Sequence, residues 1–434
     1  MRLTRTLLRA ISSSSHSSSS SSMLFLSEQN VQEVLTMKDC LQVNRQAFQA
    51  LANGTAQVPT RLGLPYGNDG DWTLFKPASL TANIESNSDD DTPDKDMMGI
   101  KVVSVRAQNP AQGKPLVPAT ILSIDPASGM VQGVIAGTSL TAARTATGSA
   151  LSTLLCQRQR IQRVTIFGAG LQAKMHVYAL STALATQQDL LSESQRQYYH
   201  QIQQQQQQQQ QSSSSSPNNN NNNTDQIPIP HLTIINRTPA NAQALQDALE
   251  HDTSATWAHH IDIIPLDDSL AVAAAVADSQ VIYTTTNTPT PLLDSHSLVT
   301  PGTHLASVGS YTPDMQELPA RLVDHCRVLI DTPEAMQVGD LRHLATTPQH
   351  PVTLLGWALL QHEQQQPQSD TTGNHNHHDP QASWWEDDQW VDPQVHYCTF
   401  FKSVGTAIQD VLTANLVVDK ARQLGIGTEI AMDE

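Results

Sequence analysis

One stretch constrains this chain more than any other: Val164-Thr-Ile-Phe-Gly-Ala-Gly-Leu-Gln-Ala173. Val164 to Phe167 are apolar or β-branched and read as a buried strand. After the turn the apolar spacing becomes helical, through Met175, Val177, Ala179 and Leu180. Strand, glycine turn and helix form the context in which G-x-G-x-x-A signals a dinucleotide site. Gly168 permits the tight turn, and Gly170 lets the backbone approach a pyrophosphate. Ala173 lets the helix pack against its strand. The helix start offers free N–H groups and the positive end of its dipole to phosphates.

Cofactor choice is read where the second strand ends. That strand is His231-Leu-Thr-Ile-Ile-Asn-Arg-Thr238. An acid at its end would accept from a ribose 2′-OH, whereas an arginine favours a 2′-phosphate. Between Gly170 and this point lies a low-complexity block, residues 187–228, with glutamine, serine and asparagine runs. Such runs cannot bury apolar area and read as an insertion in a surface loop. Without the block, Arg237 stands 25 residues beyond Gly170, close to the roughly twenty of the dinucleotide fingerprint. Asn236, Arg237 and Thr238 include no acid, and the arginine and hydroxyl suit a phosphate. NADPH is therefore expected, with NADH second.

The remaining elements extend the α/β alternation. Helices are expected over 239–249 and 268–277. Strands are expected at 261–264, 279–285, 303–309 and 328–331, and the strand ending at Thr285 closes in a threonine cluster. This order predicts a parallel sheet. Upstream, apolar spacing predicts one helix from Ser27 to Leu51, and strands follow at 99–105, 119–125 and 131–136. Pro126 to Gly129 turns the last two into a hairpin. Thr138 is placed to cap a helix running to Gln157. Residues 401–420 read as an amphipathic helix with Ser403 near its start.

The net charge of −17, from 24 basic and 41 acidic residues, gives no basic face for nucleic acid or an anionic membrane. No apolar run reaches bilayer length. Four scattered cysteines without a C-x-x-C pair argue for a reducing compartment and against a zinc site. No metal is expected, either at the acid run of residues 85–96 or at His375, His377 and His378 within a second polar insertion, residues 361–394. Trp384, Trp385 and Trp390 in that insertion read as a partner-binding tag or a packed loop. Residues 1–22 carry arginines and serines without an acid. They read either as a mitochondrial transit peptide or as an untranslated or disordered extension of a cytoplasmic protein.

Arg61, Lys101 and Arg144 stand in apolar surroundings. Singly, each reads as an ordinary ion pair. Together, ahead of a nicotinamide domain, they suggest a clamp for a small carboxylate.

At this point the chain resembles the ornithine cyclodeaminase/mu-crystallin family. The matching pieces are Met-Leu-Phe-Leu-Ser27, Val-Pro-Thr-Arg61, Gly-Ile-Lys101-Val-Val and Leu-Thr-Ala-Ala-Arg144-Thr-Ala. They continue with the glycine turn, Asn236-Arg-Thr238, Val-Gly309-Ser-Tyr-Thr-Pro-Asp-Met-Gln-Glu-Leu318 and Phe401-Lys-Ser403-Val-Gly405. They span residues 23–424 apart from the insertions. The resemblance implies a Rossmann-type NAD(P)-binding domain over 138–400. It also implies an α+β substrate and dimerisation domain from residues 23–137, completed by a returning C-terminal helix at 401–424, and a homodimer. It implies that Arg61, Lys101 and Arg144 hold the substrate carboxylate, with Lys101 and Arg144 closest to the chemistry. Gly168, Gly170, Gln172, Ala173, Asn236, Arg237, Thr238, Thr285 and Ser403 would hold the cofactor.

One departure matters. Cyclodeaminases of the family resemble Gly-Gly-Asp or Gly-Ala-Asp where this chain reads Gly309-Ser310-Tyr311. Ring closure with ammonia loss relies on that aspartate. The phenol of Tyr311 is no anionic base at neutral pH, and Asp314 lies three residues on. Ketimine reductases of the mu-crystallin type also lack the acid. The expectation is therefore NADPH-dependent reduction of a small cyclic imine carboxylate. The alternatives are ornithine cyclodeamination, amino-acid dehydrogenation, and NADPH or ligand binding with weak catalysis.

Overall fold

The structure is a computed structural model. It describes residues 22–67, 71–82, 95–157, 160–186, 229, 231–252, 258, 260–293, 299–347, 350–364 and 397–432. The acid run up to residue 94, the block 187–228, the histidine and tryptophan cluster of 375–390 and the extension up to residue 21 lie outside the described residues. Ser22, assigned above to the extension, is the first residue of a strand.

Two sheets organise the chain. The first uses β1 (Ser22–Leu26), β2 (Ala56–Gln57), β3 (Leu62–Tyr66), β4 (Asp71–Leu80), β5 (Met97–Val105), β6 (Ala119–Ile124) and β7 (Val131–Ala136). A last strand, whose range is given below, completes it. Helices α1 (Glu28–Val34) and α2 (Met37–Ala52) follow β1, and α3 (Thr138–Cys156) leaves β7. The single helix expected over 27–51 is thus two. Leu35 is extended, and Thr36 caps α2 by accepting from Asp39 N at 3.1 Å. Periodicity ran through the break because the apolar phase survives it.

Thr138 is not a cap. Gly137 precedes α3, and the Glu28 carboxylate accepts from Thr138 N at 2.7 Å and Ser139 N at 3.0 Å. An acid 110 positions away satisfies the orphan N–H groups and meets the positive helix end.

The second sheet begins with β8 (Arg163–Phe167), which feeds α4 (Leu171–Ala185). Next come β9 (His231–Asn236), α5 (Pro239–Glu250), β10 (His260–Pro265), α6 (Ser269–Asp278), β11 (Val281–Thr284) and β12 (His304–Ser307). A short α7 (Ala320–Val323), β13 (Cys326–Ile330), β14 (Val352–Leu354) and α8 (Leu355–Gln364) precede β15 (Cys398–Lys402). The order is β10-β9-β8-β11-β12-β15-β13-β14, all parallel. Chain order reverses at β8, with β9 on one side and β11 on the other, the switch point where open α/β sheets bind ligands.

The expected helix from 401 is corrected here. Phe401 and Lys402 close β15 inside the second sheet, a loop carries Ser403 to Thr406, and α9 (Ala407–Leu424) then packs on the first sheet. β16 (Thr428–Ala431) pairs with β1. The mistake has a physical source: Phe400 and Phe401 are wholly buried, and a short apolar run does not reveal its own period. Likewise β4 escaped notice, because Lys76 and Pro77 interrupt its alternation.

Helix α3 joins the two halves. Every side chain from Ser139 to Cys156 is buried, and most are Ala, Ser, Thr or Gly. Such small side chains let α2, α4 and α9 approach closely. Its hydroxyls meet buried polar partners from the second sheet and α4. Ser149 Oγ lies 2.9 Å from His176 Nε2, and Ser152 Oγ lies 3.0 Å from His304 Nε2. Among the described residues, no helix is long and apolar enough to cross a membrane.

Burial pushes His176 down to about 4 and His304 down to about 3. Both are neutral when folded, while an unfolded chain takes up their protons below the ordinary value near 6.5. Stability is therefore full above that value and falls as pH drops toward about 4. At about pH 5 the loss is roughly 2 kcal/mol per histidine. Urea midpoints measured from pH 7 to pH 5 should fall accordingly, and the double replacement His176→Gln with His304→Gln should flatten the slope. A flat profile in the unmodified protein would contradict the assignment.

Candidate active site

The expected site residues divide between the ends of β8, β9, β11 and β15 in the second sheet and the first sheet with α3. The dinucleotide turn is built as the small residues require. Gly168 has φ +107°, and a Cβ there would sit 2.6 Å from Thr285 Oγ1. Thr285 donates to Phe167 O at 2.9 Å and so ties the end of β8 to the loop after β11. A Cβ on Gly170 would meet nothing within 4 Å, leaving the approach to the α4 N-terminus open. Ala173 is fully buried against the strand. Gln172 Oε1 is buried without a partner among the described residues.

β9 ends at Asn236, so Arg237 and Thr238 lie just beyond it, exposed, with Thr238 at the N-cap of α5. Asn236 Nδ2 donates to Thr238 O at 2.8 Å and shapes that corner. Arg237 makes no hydrogen bond or ion pair among the described residues. Between the loops that follow β10 and β11 is a cavity of about 230 Å³ lined by Leu266, Ser269, Val272, Thr288, Thr290 and Leu293.

Two of the three basic residues, Lys101 and Arg144, meet at a carboxylate that sequence reasoning missed. Asp410, in the first turn of α9, accepts at Oδ1 from Lys101 Nζ at 2.7 Å and from Arg144 Nε at 2.8 Å. Lys101 and Asp410 are 1% and 0% exposed. Burial pushes Asp410 up, but Arg144, Lys101 and Lys76 outweigh it and hold the carboxyl below its usual range. Burial, then Arg144 and Lys76, push the Lys101 ammonium well down, with Asp410 opposing. Asp410 Oδ2 is buried and has no partner among the described residues.

Arg144 lies flat on Gly405, whose φ is +76° and where a Cβ would come within 2.5 Å of Nη1. Gln409 Nε2 donates to Arg144 O at 3.2 Å and to Asn44 Oδ1 at 3.0 Å, which fixes the helix crossing. Ser403 Oγ donates to Asp331 Oδ2 at 2.7 Å, as do Val404 N at 3.0 Å and Gly405 N at 2.6 Å. Asp331 thus shapes the turn between β15 and α9. Arg61, half-buried just before β3, makes no hydrogen bond or ion pair among the described residues.

Two further groups were not foreseen. Lys76, from β4, is buried and donates to Gly405 O at 2.8 Å. Behind the Tyr311 loop, Glu317 accepts from Thr286 N at 2.6 Å, Gly309 N at 2.8 Å and Ser307 Oγ at 2.7 Å. Lys402 Nζ lies 3.3 Å from Asp340 Oδ2 and donates to Ser307 Oγ at 3.1 Å. This buried set holds the loops after β11 and β12 in register. Tyr311 is partly buried and its phenol is raised further by burial, while Asp314 is exposed. Sequence gave a signal for Lys76 only as a charge in an apolar run, and none for Asp410.

Replacing Asp410 by Asn leaves two buried cations short of an anion. That should cost roughly 3–5 kcal/mol, read as a lowered urea midpoint. Asp419→Asn, which removes the exposed pair with Lys95, should cost roughly 0–1 kcal/mol. Equal effects would contradict the burial argument.

Comparison with known proteins follows the same outline. Residues 21–227 and 222–425 match the ornithine cyclodeaminase/mu-crystallin family. An uncharacterized cyclodeaminase of Dictyostelium discoideum is 24% identical, over 95% of this chain and 100% of that one. A Delta(1)-pyrroline-2-carboxylate reductase of Bacillus cereus is 23% identical, over 94% of this chain and 99% of that one. The fold is similar to that of the Thermococcus litoralis Delta(1)-pyrroline-2-carboxylate reductase solved with NADH and L-proline. Its TM-score is 0.67 at 22% identity, over 94% of this chain and 100% of that one.

Proposed function

The chain belongs to the ornithine cyclodeaminase/mu-crystallin family, and from that premise we propose that it reduces a small cyclic imine carboxylate with NADPH. The observation that carries the reading is the buried Lys101–Asp410–Arg144 cluster, with Arg144 packed against Gly405 in the loop that leaves β15. The pyrroline carboxylate reductases among its relatives support the same chemistry.

The residues present fit the cofactor. The positive φ of Gly168 and the open face of Gly170 admit a pyrophosphate at the α4 N-terminus. Arg237, exposed and unpartnered among the described residues, is free to meet a 2′-phosphate. The cavity between the β10 and β11 loops suits an adenosine. When bound, the reduced nicotinamide supplies a hydride. Arg61 and Arg144 hold the carboxylate and orient the C=N carbon. Arg144 Nη2 has no partner among the described residues, so one edge of the guanidinium remains for the substrate. Lys101, readied by burial to give up its proton, delivers that proton to the nitrogen, and Asp410 shares it.

Ornithine cyclodeamination is the second reading. It is disfavoured because Tyr311 offers a phenol raised by burial and Asp314 lies exposed. The relative named a cyclodeaminase keeps it in view. Release of ammonia from ornithine would distinguish it.

We also propose a homodimer through the outer face of the first sheet. Leu62, Leu64 and Tyr66 alternate on one side of β3 and are 60%, 49% and 68% exposed. An apolar row of that kind marks an interaction surface. Leu64→Glu with Tyr66→Glu should halve the mass seen by light scattering; an unchanged mass overturns this interface.

The reaction is tested by NADPH oxidation with 1-pyrroline-2-carboxylate or 1-piperideine-2-carboxylate, run beside NADH. NADPH should be preferred about tenfold or more, and Arg237→Ala should erase that preference. Arg144→Ala should lower kcat/KM about a hundredfold or more. NADPH binding without turnover of either imine would sink the reductase reading.

A further inference from the structure

Lys76 points to the substrate's charge. In the first sheet Lys76 lies directly opposite Lys101, and the pairing of Leu62 with Phe75 brings Arg61 level with Lys76. Three cations thus form one row across β3, β4 and β5, on the face that packs against α9. Like charges directly opposite on one face destabilise a sheet. Arg144 adds a fourth cation from α3, and its charge acts on both lysines.

The anions within reach are fewer. Asp410 is shared between Lys101 and Arg144. Asp331 spends Oδ2 on Ser403, Val404 and Gly405. Lys76 bonds only a carbonyl, Gly405 O, and Arg61 bonds nothing among the described residues. Among the described residues, Arg61, Lys76, Lys101 and Arg144 against Asp331 and Asp410 leave two positive charges over. A substrate with one carboxylate answers one of them.

We propose that the substrate is a dicarboxylic imine, whose second carboxylate is taken by Lys76. This rests on the reductase reading above. The step balances as before: the hydride of NADPH adds to the C=N carbon, a proton adds to nitrogen, and a cyclic amino diacid and NADP⁺ are formed. Burial lowers the Lys76 ammonium to about 8, with Asp410 opposing, so most of the charge is present at neutral pH. A lysine placed only to hold the Gly405 carbonyl would serve all substrates equally.

The experiment therefore compares ratios, using the full chain loaded with NADP⁺ or NADPH. Binding of pyrrolidine-2,5-dicarboxylate and of proline is measured by calorimetry. Turnover is measured with 1-pyrroline-2,5-dicarboxylate and 1-pyrroline-2-carboxylate. The diacid should be favoured roughly tenfold to a hundredfold in both comparisons. Lys76→Met, which keeps the side-chain length, should bring the ratio near one, chiefly through KM, and Lys76→Arg should restore it. Should the Met variant fail to fold, Lys76→Gln carries the same test. A ratio near one in the unmodified protein, or one unchanged by Lys76→Met, overturns the inference. Turnover of both imines without preference would overturn it and leave the reductase reading standing. A strong binding preference lost in Lys76→Met, with neither imine reduced, would support the Lys76 assignment while the reductase reading fails.

Discussion

A single carboxylate oxygen, Asp410 Oδ1, receives both Lys101 and Arg144. The two partners lie 309 and 266 positions away along the chain. One belongs to the first sheet, one to the helix that joins the two sheets, and the acid to the helix that returns from the second. Desolvating three charges is costly, and only close, mutual contact offsets it. The position of α9 is therefore coupled to the site. A shift that parts Asp410 from its cations leaves all three buried and uncompensated.

The second sheet supplies the other half of the constraint. Because its strands are all parallel, their C-terminal ends gather at one edge. Glu317 gathers the loops after β11 and β12 by accepting from Thr286, Ser307 and Gly309, while Asp331 fixes the turn that leaves β15. Backbone N–H groups bound to buried carboxylates are stiff, since losing either partner exposes an unsatisfied group to a dry interior. The loops at that edge therefore have little freedom. Helix α3 keeps the two edges together by being small-residued on every side and by satisfying its hydroxyls with neutral histidines.

Where local pattern carried the information, it was legible. The strand, glycine turn and helix at Val164 to Ala173 need nothing distant to be recognised, and the structure has β8, a positive-φ Gly168 and α4 there. The β/α alternation led to a parallel sheet. Helix breaks and short strands were less legible. Leu35 interrupts a pattern whose phase continues, and β15 is a five-residue strand with two adjacent phenylalanines, next to a true helix. The cap of α3 comes from Glu28, which no window of local sequence contains.

Sequence alone determined the dinucleotide turn, the absence of an acid after β9 and at Tyr311, and the presence of three cations in apolar surroundings. Those properties depend on residue type and short spacing, which steric and electrostatic rules translate directly. Only the tertiary structure decided which carboxylate the cations share, that Lys76 stands level with Arg61 and Lys101, and that Asp314 lies exposed. The reason is physical. Strand register and helix return bring together groups hundreds of positions apart, and a charge buried among them is read through its neighbours rather than through its place in the chain.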